Sequence, residues 1–109
     1  MKKLTLLPIL LFSSFAFAAT WSNVVLIDQA CAAKAKANPD THTRACAVQC
    51  AKSGYGILTK DGQFLKFDQK GNEDAAKLLG SSDKKDHLRV NVEGDEKDGT
   101  IAVKSVSFQ

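Results

Sequence analysis

Three cysteines and one histidine carry the chemistry this sequence can offer. Cys31, Cys46 and Cys50 are its thiols, and His42 stands four residues before Cys46, which stands four before Cys50. On a helix each step of four turns the side chain by about 40°, so His42, Cys46 and Cys50 share one stripe. A Cys₃His set is among those that hold zinc tetrahedrally, and thiolates also suit copper(I). Helical rise nevertheless separates His42 from Cys50 by about 12 Å, whereas the ligands of one tetrahedral ion lie within about 4 Å of each other. Cys46 and Cys50 with Cys31 therefore make the simpler site, three sulfurs with an open fourth position or a histidine, with His42 joining only from a frayed first turn.

The same residues have a plainer use. Cys31 bridged to Cys46 or Cys50 closes a loop of 15 to 19 residues, which stabilises a small fold by about 3 kcal/mol and ties the helix to the rest of the domain. A bridge between Cys46 and Cys50 is disfavoured, because their side chains leave one regular helix in parallel directions. One thiol is then left over, free to link two copies of the chain. A third use is thiol redox chemistry, although Cys46-x-x-x-Cys50 is one residue longer than the redox CxxC motif.

The elements that must position these residues can be read in order. Trp21 to Ala30 has the centre Val24-Val25-Leu26-Ile27, a first strand either buried on both faces or bent at a barrel rim. Residues 32–40 are Ala- and Lys-rich and fit either a short helical turn or an ordered loop. Residues 41–52 read as a helix, with a capping side chain beside Pro39 and with Lys52 and Gly54 at its end. Tyr55 to Lys60 and Gln63 to Asp68 are strand runs joined by Asp61-Gly62, a pair suited to a two-residue type I′ turn. The second run carries Leu65 and Phe67 on one face and Phe64 and Lys66 on the other. Asn72 reads as the cap of a short helix from Glu73 to Leu79. A polar loop, Ser81 to Asp86, precedes the alternating strand His87 to Gly94, and after a turn over 95–99 comes TIAVKSVSF. There the apolar parity slips past Lys104, the mark of a bulge or barrel corner.

The N-terminus sets the compartment. Lys2 and Lys3, an apolar run from Leu4 to Phe17 and the triplet Ala16-Phe17-Ala18 have the form of a cleavable secretory signal over residues 1–18. The apolar run is shorter than the about 20 residues of a membrane span and contains Pro8. Residues 19–109 are then a single periplasmic or secreted domain, where paired cysteines persist. Losing Lys2 and Lys3 leaves 13 basic against 12 acidic side chains, no electrostatic footprint for nucleic acid.

The order strand, cysteine-bearing helix, hairpin, short helix, hairpin is that of an α+β, mainly β chain folded as a small five-stranded OB-like antiparallel barrel. The stretch HLRVNVEGDEKDGTIAVKSVSF resembles the closing hairpin of small exported bacterial OB-like domains. The early cysteine followed by a histidine and two helical cysteines resembles small secreted bacterial proteins of unassigned activity. The resemblance implies a fold and a compartment and no particular chemistry.

No phosphate-cradling glycine loop or activated serine is present, so the expectation is a non-enzyme. It is a binding module for a protein, glycan or small molecule, with its helix tied down by a disulfide, and it acts as a monomer or thiol-linked dimer without nucleic acid, membrane or obligatory cofactor. The alternatives are a zinc or copper binder using Cys31, Cys46, Cys50 and His42, and a thiol-redox protein. His87, Trp21 and the lysines of residues 81–86 read as solvated or core positions.

Overall fold

A computed structural model describes residues 17–109. Apart from Phe17 and Ala18, the expected signal peptide lies outside the described residues. Five strands form the closed barrel: β1 (Phe17–Asp28), β2 (Tyr55–Leu58), β3 (Phe64–Phe67), β4 (Arg89–Lys97) and β5 (Thr100–Phe108). Around the barrel their order is β1-β2-β3-β5-β4, and β1 pairs with β4 to close it. The barrel is mixed, which corrects the antiparallel expectation. Lys66 and Phe67 of β3 run parallel to Thr100 and Ile101 of β5. Two hairpins joined by a helical crossover leave β3 and β5 pointing the same way where they meet.

Leu26, Ile57, Leu65, Phe67, Val90, Val92 and Ile101 fill the barrel. On its outer side Val25, Ile27 and Leu58 pack with Ala32 of α1 (Gln29–Ala35) and with Phe64. The apolar centre of β1 is thus buried on both faces, the first of the two arrangements its sequence allows. The bulge expected near Lys104 is also present, since Glu93 faces Ser105 and Gly94 faces Val103, leaving Lys104 unpaired.

Local details depart from the sequence reading for identifiable reasons. The first strand stops at Asp28, because its side chain accepts the Cys31 N–H at 3.0 Å and starts α1 there. The cysteine-bearing region is no single helix over 41–52. It contains a 3₁₀ turn at Pro39–Thr41, helix α2 (Arg44–Gln49) capped by Thr43, and another 3₁₀ turn at Ala51–Ser53. The last main helix, α3 (Gln69–Gly80), begins earlier than expected because Asp68 caps it. Asn72 instead accepts the Tyr55 N–H at 2.7 Å.

The two-residue turn expected at Asp61-Gly62 does not form there, and one forms at Asp98-Gly99 instead. At Asp61-Gly62 the Gly62 N–H bonds Thr59 C=O while Thr59 N–H bonds Gln63 C=O, which makes a three-residue loop with only Gly62 left-handed. At Asp98-Gly99 both residues are left-handed, and Lys97 pairs with Thr100 across a two-residue turn. The Thr59 hydroxyl explains the first case, because it accepts the Gln63 N–H at 3.0 Å and fixes the wider loop.

Candidate functional site

The barrel end formed by the last residue of β1 gathers a group that could hold a metal ion. Asp28, Cys31 and Cys50 each aim one ligand atom into it, and these atoms all lie within 4.8 Å of one another. Three different elements supply them. Asp28 ends β1, fully buried. Cys31 lies in the first turn of α1, its amide held by Asp28. Cys50 follows α2, with backbone angles outside the helical range. Its N–H still donates to Cys46 C=O at 3.0 Å, so it closes the last turn of α2, and its sulfur comes within reach of Cys31.

Backbone and side-chain contacts fix the three supports together. Gln29 N–H donates to Gly54 C=O at 2.9 Å. Ser53 Oγ donates to Cys50 C=O at 2.9 Å and accepts the Ala30 N–H at 3.1 Å, which links the two cysteine-bearing segments directly. The Tyr55 hydroxyl donates to Ala47 C=O at 3.0 Å and holds α2 against the barrel. Burial, then the neighbouring Asp28 and Cys50, raise the Tyr55 phenol above its ordinary value. Arg89 grips Asp40 through two bonds of 2.8 and 2.9 Å, which anchors the loop before His42.

His42 enters the site through Asp28. Its Nε2 is 2.9 Å from Asp28 Oδ1, yet the two atoms are out of line for a hydrogen bond, and neither has another partner. Proximity of charge and donor therefore offsets part of the cost of burying the carboxylate, while alignment is left unmet. Burial and then the hydrogen bond to Asp28 push the Cys31 thiol up to about 11. The Cys31 thiol therefore holds its proton more tightly than a free thiol, and a bound cation would compensate the charge that its ionisation adds.

The donor set suits a soft or borderline ion. Two thiolates and one carboxylate match ligands that zinc accepts, and the pair of sulfurs also suits copper(I). His42 would orient the carboxylate from behind, in the manner of the outer partners that set ligand direction at metal sites. The three-sulfur grouping expected from sequence is not assembled. Cys46 lies exposed on α2, outside the Asp28, Cys31 and Cys50 group, and the disulfide expected from Cys31 to Cys46 or Cys50 is not formed, since all three cysteines are free thiols. His42 precedes α2 in extended conformation, so the stripe of His42, Cys46 and Cys50 does not form.

Asp28 is the member of the candidate group that the sequence reading missed. Its signal was an acid closing an apolar strand three residues before a cysteine, a spacing that suits both a helix cap and a shared ligand site. Elsewhere, Trp21 is half-buried at an open cleft of about 550 Å³ between β1 and the Thr59 to Gln63 loop. His87 is solvated beside Asp86, as expected. No helix among the described residues is long and apolar enough to cross a membrane. No protein-family model, curated protein or solved structure matches this chain.

Proposed function

We propose that this is an exported, non-enzymatic metal-binding module, an OB-like barrel that takes zinc or copper(I) through Asp28, Cys31 and Cys50. The observation that carries the reading is the convergence of these three donors on one point at the end of β1, with the carboxylate fully buried. The buried pair of Asp28 and His42 supports it further. Asp28 Oδ2 accepts the Cys31 N–H while Oδ1 stands 2.9 Å from His42 Nε2, so the carboxylate is held in one orientation beside the two sulfurs, as a ligand would need to be.

The barrel order, with a helix between β3 and β4, supports the OB-like reading. The signal-like pattern of residues 1–18 in the sequence supports export. In that setting the module holds or carries its ion, with the fourth coordination position left for water or for a donor from a recipient protein.

The reduced protein, titrated anaerobically with cobalt(II) as a spectroscopic probe, tests this. One equivalent of cobalt should produce sulfur-to-metal charge-transfer absorption that zinc displaces. Cys31→Ser and Cys50→Ser should each abolish it, and Cys46→Ser should leave it intact. Absence of the band in the folded, reduced protein, or an equal dependence on Cys46, would overturn the assignment.

A further inference from the structure

Cys31 and Cys50 are the only two thiols that the fold brings together among the described residues, and they are also two of the three proposed metal ligands. These two uses exclude each other. A disulfide needs its sulfurs about 2.05 Å apart, whereas two thiolates on one tetrahedral zinc, bonded at about 2.3 Å, stand nearly 4 Å apart. From within 4.8 Å either state is reached by a small movement of side chains.

We infer that Cys31 and Cys50 form a reversible disulfide that empties the metal site, with an external disulfide as the oxidant. This rests on the metal-binding reading above. Three features of the fold favour it. Cys50 lies outside regular helix, between α2 and the turn at Ala51–Ser53, so its side chain can adjust without breaking a helical ladder. Ser53 bonds both Cys50 and Ala30, which holds the two segments in register whichever state the sulfurs adopt. Cys46 is exposed and apart, so the third thiol does not compete for the pairing.

The exchange proceeds in two displacements. A thiolate of the pair attacks a sulfur of the external disulfide RSSR, forming a mixed disulfide and releasing one RS⁻. The second protein thiolate then attacks the protein sulfur of that mixed disulfide, forming the Cys31–Cys50 bond and releasing the other RS⁻. Two electrons pass from the protein dithiol to RSSR, which leaves as two RSH after taking up two protons. When the starting state is metal-loaded, the ion is freed as its two sulfur ligands are lost, and those two protons come from solvent. Asp28 and His42 remain in place, so reduction restores the site.

The test uses the full chain, loaded with one equivalent of zinc and exposed to oxidised glutathione, with a chromogenic chelator reporting free zinc and peptide mapping reporting the bonds. The expected result is a Cys31–Cys50 disulfide formed in step with release of one zinc, Cys46 still alkylatable, and recovery of zinc binding on reduction. Excess zinc should slow the oxidation at least tenfold. If the reduced protein binds zinc but yields no Cys31–Cys50 bond, or if the oxidised protein binds zinc with unchanged affinity, the switch is wrong and the metal site stands. If the reduced, folded protein binds neither zinc nor copper(I), the metal reading itself fails and the switch with it. The Cys46→Ser variant, which should behave as the parent in every measurement, separates pairing through Cys46 from the bond inferred here.

Discussion

His42 Nε2 lies 2.9 Å from Asp28 Oδ1, with both side chains withdrawn from solvent. The same carboxylate caps α1 through its other oxygen. One residue thus starts a helix, receives a buried imidazole and faces two thiols, and its substitutions separate these duties. Asp28→Ala removes the cap and strands His42, which should cost about 3–4 kcal/mol in urea denaturation. Asp28→Asn keeps an acceptor for Cys31 N–H and should cost about 1–2 kcal/mol, while weakening zinc binding at least tenfold. Equal zinc affinity in the Asp28→Asn variant and the parent protein would remove the carboxylate from the ligand set.

The thiols should differ in reactivity. Cys46 is exposed, whereas Cys31 and Cys50 are half-buried. In the metal-free, reduced protein, alkylation should label Cys46 first, and one equivalent of zinc should protect Cys31 and Cys50 without slowing Cys46. Mass spectrometry at successive times reads both effects.

The raised Cys31 pKa fixes the sign of an alkaline pH dependence. In the unfolded chain this thiol ionises near the ordinary 9.0, and in the fold it keeps its proton until about 11. The unfolded state therefore loses protons first, and metal-free stability should fall as pH rises from about 9 to about 11. Cys31→Ser should flatten that part of the profile. Zinc affinity should rise over the same range, because binding displaces the thiol proton.

At acid pH the sensitive contact is Asp40 with Arg89. The hydrogen bonds from Arg89 hold the Asp40 carboxyl below its ordinary 3.8. Its contribution is present above the unfolded value and is lost as pH falls through the lower folded value. Both side chains are about one-third exposed, so solvent screening limits the effect to roughly 0.5–1 kcal/mol. Arg89→Gln should remove that acid-side slope in denaturation curves taken between about pH 5 and about pH 2.

Gly71 marks where α3 presses on the barrel. A Cβ there would stand 2.5 Å from Val103 Cγ2 and 2.8 Å from Phe67 Cβ. Gly71→Ala should therefore cost about 1–3 kcal/mol despite the better helix propensity of alanine. A midpoint equal to that of the parent would show that α3 can shift outward freely.

Local patterns determined a good deal of this molecule. The doubly buried Val24 to Ile27, the alternation of Phe64 to Phe67 and the parity slip at Lys104 each carry their strand geometry in residue types alone, because burial on a pleated surface repeats every second residue. The sequence also marked Cys31, Cys46, Cys50 and His42 as chemically significant, without separating the two cysteines that meet from the one that does not. It put the two-residue turn at Asp61-Gly62, where the hydroxyl of Thr59, two residues outside the dipeptide, instead fixes a wider loop.

Only the tertiary structure decided which sulfurs meet. Asp28 ends a strand, Cys31 opens a helix and Cys50 follows another, and no single periodicity relates the three. The unbroken helix expected over 41–52 would have kept Cys46 and Cys50 together. Tertiary contacts instead hold the shorter α2 at the end of the barrel, through Tyr55 to Ala47 and Arg44 to Leu79. Cys50 is then directed inward and Cys46 faces solvent. Which donors share a point in space depends on how three separate elements close around one core, and spacing along the chain does not carry that information.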